Sequence, residues 1–126
     1  MRPVIVVGMN PGSKRNINLA RSTFHARLGD WMSRVDCVPY GFVNIQQTPG
    51  KFDPSPDDLY YALTCVRQHD TVIALGNSVY DVLIKHDVES FKLPHPSGLN
   101  RKINDREFVA RSLDELRAHS VSRNKT

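Results

Sequence analysis

Short apolar runs alternate with helix-forming segments along the whole chain, and this alternation most constrains the fold. After Pro3, the run Val4-Ile5-Val6-Val7 is apolar and β-branched throughout, as in a strand buried on both faces of a parallel sheet. Gly41 to Ile45, Thr71 to Leu75 and the short Phe91-Lys92-Leu93 read as three further strands. Phe24, Leu28, Trp31, Met32 and Val35 fall on one helical face, with Ser22 or Thr23 as N-cap. Ser55-Pro56-Asp57-Asp58 is a helix start, with a capping hydroxyl, a proline at the first position and acids in the first turn. Leu59, Leu63 and Val66 continue its apolar face. A third helix is predicted from about Ser78 to Lys85, and Asn104 can cap a last one carrying Phe108, Val109, Leu113 and Leu116.

The order βαβαβαβα predicts an α/β fold, a three-layer αβα sandwich around a four-stranded parallel sheet with right-handed crossovers. The pattern by itself leaves strand order open. The expected order, 2-1-3-4, would open a switch-point crevice beside the first strand. The 126 residues suffice for one compact domain, taken as residues 1–119, followed by a polar, frayed tail at 120–126.

Composition excludes some functions and permits others. No apolar stretch approaches the roughly 20 residues that span a bilayer, and the N-terminus leads directly into a strand pattern. A cytoplasmic protein, or a nuclear one in a eukaryote, is therefore expected rather than a secreted one. Cys37 and Cys65 lack metal-type spacing and read as reduced thiols; they are too few for a structural zinc or an iron–sulfur cluster. The formal net charge is +4, which permits nucleic-acid binding without requiring it. Lys14, Arg15 and Arg21 follow the first strand, and Arg101, Lys102 and Arg106 follow the last. Each cluster alone could be a solvated basic surface; together, beside two unusual loops, they favour tracking of phosphates.

Those loops are Gly8-Met9-Asn10-Pro11-Gly12 and His95-Pro96-Ser97-Gly98-Leu99-Asn100-Arg101, each after a strand-type run. The first is not a P-loop, because Ser13 stands where the second glycine belongs, and it carries no dinucleotide fingerprint. A plain strand-to-helix turn would fit it. So would a ligand site in which Pro11 stiffens the backbone, the glycines admit a ligand closely and Asn10 holds a water through its carbonyl oxygen. In the second loop, His95 lies between two prolines and is held extended. Leu99 is an apolar side chain among polar ones, fit either to bury against the core or to wedge into a base stack. Asn44 ends the second strand run.

On these residues the chain resembles a small member of the uracil-DNA glycosylase superfamily. Gly-x-Asn-Pro-Gly is similar to the first motif of its single-strand-selective monofunctional and mismatch-specific branches. His95 is like the histidine of the main uracil-removing enzymes, and Ser97-Gly98-Leu99-Asn100-Arg101 is like the mismatch-specific wedge. The likeness covers nearly the whole chain in element order and is specific at about a dozen positions.

The resemblance implies that Asn10 positions the attacking water and that His95 hydrogen-bonds the uracil O2 as the base departs. It implies that Asn44 reads the N3/O4 edge of the pyrimidine, with Gly8, Met9 and Gly12 around the base. Leu99 would fill the emptied stack, and Ser97 would touch a phosphate, with Gly98, Asn100, Arg101, Lys14 and Arg15 on the DNA. Phe24 is the candidate for stacking on the base, although its helical spacing suits a core position equally. The implied partner is single- or double-stranded DNA, bound by a monomer with no metal or cofactor and no membrane.

Physical chemistry bears on these roles. A preorganised donor aimed at a developing anion is typically worth about 3 kcal/mol, which makes His95 weightier than any rim charge. An amide orients water but hardly deprotonates it, so turnover should be slower than with a carboxylate at position 10. Asn44 offers both a donor and an acceptor, as the edge of uracil requires, for roughly 1–3 kcal/mol of discrimination against cytosine. The target base must be unpaired or flipped to enter. Glycine at position 12, where the strictest uracil enzymes have tyrosine, leaves space near the pyrimidine C5 for a substituent. The expectation is a monofunctional DNA glycosylase acting on uracil or a 5-substituted uracil. The alternative is a weak or inactive protein of glycosylase fold that binds DNA or modified bases.

Overall fold

The computed structural model describes residues 4–10, 23–35, 37–94 and 106–124, with the side chains at 23–24, 106, 108 and 119–124 outside that description. Four strands, β1 (Val4–Gly8), β2 (Gly41–Asn44), β3 (Thr71–Leu75) and β4 (Phe91–Leu93), alternate with four helices. These are α1 (Thr23–Arg34), α2 (Pro56–Val66), α3 (Asn77–Lys85) and α4 (Arg106–Asn124). The sheet is wholly parallel and ordered β2-β1-β3-β4, as expected for the α/β sandwich.

Side-chain alternation along the strands divides the core in two. Val4, Val6, Ile73, Leu75 and Leu93 pack with Leu28, Trp31 and Met32 of α1, with Val35 just after it, and with Val109, Leu113 and Leu116 of α4. Ile5, Val7, Val43, Ile45, Val72 and Ala74 pack on the other face with Ala62, Leu63 and Val66 of α2 and Val79 and Leu83 of α3. The central strands β1 and β3 are buried at every position, which explains their apolar runs, Val4 to Val7 and Val72 to Leu75. At about 1.5–3 kcal/mol for each fully buried large apolar side chain, these two layers supply most of the driving force. Edge strand β4 is short and carries exposed Lys92, which discourages pairing with another chain.

The predicted start of α2 forms as a complete capping box. Ser55 Oγ accepts from the Asp58 N–H at 3.1 Å, and Asp58 Oδ2 accepts from the Ser55 N–H at 3.0 Å. At the other end of the chain, α4 continues to Asn124, past the expected start of an irregular tail at Ser120. No glycine or proline lies between Arg106 and Asn124 to stop it. Cys37 is buried and Cys65 partly so, and neither is disulfide-bonded. Among the described residues no helix is long and apolar enough to cross a membrane.

Candidate functional site

The strand order creates the site. The link from β1 passes through α1 on one face, whereas the link from β3 passes through α3 on the opposite face. These adjacent strands therefore part at their carboxyl ends, where α/β proteins place ligands. Gly8, Met9 and Asn10 leave β1 at this edge, and Gly76, in a positive-φ conformation (φ 90°), leaves β3 there. Because the sheet is parallel, β2 ends at the same edge with Asn44, and β4 ends there with Leu93.

Gly8 and Asn44 are register partners. A Cβ on Gly8 would lie 2.6 Å from Asn44 Oδ1 and 2.9 Å from Phe42 Cζ. Glycine at this position is therefore a matter of space: its bare backbone lets the carboxamide and the ring pack directly onto β1. Beyond the strand, the Ile45 N–H donates to Gly8 O at 2.9 Å and the Gln46 N–H to Met9 O at 3.0 Å, so the pairing continues. With Gly8 paired to Asn44, strand spacing and rise put the backbones of Asn10 and Asn44 within about 12 Å of each other. Both carboxamides thus sit at one end of the sheet.

Asn10 Nδ2 donates to Gly50 O at 2.6 Å. Gly50 (φ 111°) belongs to the loop after β2, and that loop is organised by Gln46. Gln46 is a rare buried polar residue, 3% exposed. Its Nε2 donates to Thr48 O at 2.8 Å and Lys51 O at 3.1 Å, and its Oε1 accepts from the Asp53 N–H at 2.5 Å. One buried amide so ties both ends of the loop that holds Asn10. Its neighbour Gln47 is exposed and donates instead to Asn44 O at 2.7 Å.

Behind Gly8, the Phe42 ring meets His25 of α1 edge-on, with centroids 5.3 Å apart at 64°. Burial lowers the His25 pKa from its ordinary value of 6.5, because the charged ring loses water there. Met9 packs partly buried against the core layer under α2 and α3. On the far side of the crevice, α3 starts at Asn77, whose Oδ1 accepts from Lys92 Nζ at 2.9 Å. Lys92 also lies 5.2 Å from the Tyr80 ring centroid, a cation–π distance.

Gly8, Met9, Asn10 and Asn44 are thus brought to one edge. His95, Gly12, Lys14, Arg15, Ser97, Gly98, Leu99, Asn100 and Arg101 lie outside the described residues, as does the side chain of Phe24. The chain does leave β4 at the same edge, at Leu93 and Pro94, immediately before His95. Sequence reasoning missed Phe42, His25, Gln46 and Gly50. Phe42 had a usable signal, since it stands two residues before Asn44 and so on the same strand face. Gln46 had none, because Gln-Gln says nothing about which amide turns inward. Among the described residues, no group of three or more His, Cys, Asp or Glu is placed to hold a metal ion. No protein-family model matches the chain, and a search of curated proteins returns no relative.

Proposed function

We propose that the protein is a monofunctional DNA glycosylase that hydrolyses the N-glycosidic bond of uracil or a 5-substituted uracil. The observation that carries this reading is the close seating of Asn44 on Gly8, with Asn10 two residues further along the same strand edge. A carboxamide that can read a pyrimidine edge and another that can hold a water stand at the same carboxyl end of the sheet, on the paired strands β2 and β1. The resemblance implies the same two roles for these carboxamides.

In this mechanism the C1′–N1 bond breaks with its electron pair passing to the base, where the charge spreads onto O2. His95 donates a hydrogen bond to that oxygen, and Asn44 holds the N3/O4 edge. A water oriented by Asn10 Oδ1 bonds to C1′ and releases its proton to solvent. No lysine stands in a motif position suited to a Schiff base, so the abasic strand is left intact. Lys14, Arg15 and Arg101 track phosphates while Leu99 fills the vacated stack, and binding weakens steeply with salt. Glycine at position 12 leaves room at the pyrimidine C5.

Incubation with single- and double-stranded uracil oligonucleotides, followed by alkali, tests this directly. Strand scission is expected with the wild type and is lost in His95→Ala and Asn10→Ala. Binding without scission in the wild type would establish a non-cleaving, DNA-binding protein instead. Good activity on uracil, with equal inactivity on 5-hydroxymethyluracil and thymine, would remove the 5-substituted substrates.

A further inference from the structure

We infer that Gln46 is a positioning residue, which uses the loop after β2 to dictate which end of the Asn10 carboxamide faces the crevice. An asparagine amide has two ends of opposite hydrogen-bonding sense and similar shape, and only a partner distinguishes them. Gly50 O is an obligate acceptor, so at 2.6 Å it must be met by Nδ2. Oδ1, the end able to accept from water, is thereby turned the other way. The orientation is as reliable as the placement of Gly50 O. That carbonyl sits in an exposed loop, where a Cβ on Gly50 would meet nothing within 4 Å. Nothing therefore packs on Gly50 itself, and within the loop Phe52 is the apolar side chain that packs on the core. The polar tie that fixes the loop backbone on either side of Gly50 is the buried Gln46 amide, through its two donated bonds at Thr48 and Lys51 and its accepted bond from Asp53.

The same geometry explains why this turn carries an amide rather than a carboxylate. A carboxylate has no donor for Gly50 O, so one of its oxygens would face the carbonyl oxygen directly. The Gly50 carbonyl and Asn10 amide form a matched pair. The catalytic consequence rests on the glycosylase reading above; the mechanical claim about the amide does not.

The test measures the Asn10 side-chain amide by NMR, its signal assigned by its loss in Asn10→Ala. In the wild type, one of its protons should be protected from exchange relative to the exposed Gln68 amide. Gln46→Met removes all three loop bonds at similar size, and Gln46→Glu removes the donors and keeps the acceptor for Asp53. In both, the Asn10 amide should shift toward exposed-amide values and lose its protection. In single-turnover and steady-state scission assays, kcat should fall by about a hundredfold with KM little changed, the scale expected for misplacement near the reacting atoms. A wild-type Asn10 amide that exchanges like Gln68 overturns the inference, even where neither Gln46 variant folds. So does an Asn10 signal unchanged in both variants. Loss of protection in a protein that cleaves no DNA supports the positioning claim and sinks the glycosylase reading alone.

Discussion

Replacing Gly8 with alanine tests how the candidate site is built, because one methyl group would meet both the Asn44 carboxamide and a core ring. The new Cβ would stand 2.6 Å from Asn44 Oδ1 and 2.9 Å from Phe42 Cζ. Ordinary carbon contacts are about 3.5–4.0 Å, so each neighbour must retreat by something near 1 Å. Asn44 can turn its side chain away at small conformational cost. Phe42 is restrained, since its ring packs against the core layer beneath α1 and meets His25. Overpacking of this kind costs about 1–3 kcal/mol, or a melting midpoint lowered by roughly 3–10 °C in a domain of this size. On the proposed reading, turning Asn44 away would also remove a contact with the base, worth about 1–3 kcal/mol, or some five- to 150-fold in kcat/KM on uracil. Gly29→Ala is the internal control. Its Cβ would meet only Tyr40 Oη, at 4.0 Å, and alanine in a helix interior is favoured over glycine by about 0.5–1 kcal/mol. Thermal melts of the two variants should therefore shift in opposite directions, and uracil excision should fall in Gly8→Ala alone. A Gly8→Ala protein as stable and as active as the wild type would refute the argument that this glycine exists for close approach.

Four other substitutions or titrations probe separate parts of the structure. A carboxylate is by itself the better base, but in this turn Asn10→Asp should not accelerate excision, because Gly50 O, which meets Asn10 Nδ2, would oppose a carboxylate oxygen and raise the new pKa; a rate increase near neutral pH would contradict this. His25 should titrate below 6.5 by NMR, since burial disfavours its charged form. Its folded pKa is lowered, so its contribution to stability is complete above 6.5, declines as pH falls through the folded pKa and then levels off; a midpoint at or above 6.5 would be inconsistent. Ser55→Ala should cost about 1 kcal/mol by chemical denaturation through loss of the α2 cap. Asp58, held below its ordinary 3.8 first by the Ser55 N–H, supports the fold fully above that value and loses this role as acid protonates it; a carboxyl titrating at 3.8 or higher would rule this out.

Much of the architecture was legible in one dimension because burial leaves periodic marks. The unbroken run Val4 to Val7 could only suit a strand covered on both sides, and β1 is central and buried throughout. Ser55-Pro56-Asp57-Asp58 announced α2 because a cap is local chemistry, complete within four residues. The fourth helix was read short at its far end, where polar residues suggested fraying although nothing in them breaks a helix. Asn10 and Asn44 were recognisable as turn and strand-end amides, but not what surrounds them.

The sequence by itself determined the number, type and sequential order of the elements, since propensity, capping and hydrophobic period act between near neighbours. Tertiary structure alone decided that β1 lies between β2 and β3, that Gly8 is a gap for Asn44 and Phe42, and that Gln46 turns inward while Gln47 does not. Those choices follow from cross-strand register and loop closure. They join residues some forty positions apart, such as Asn10 and Gly50, through contacts that leave no periodic trace along the chain.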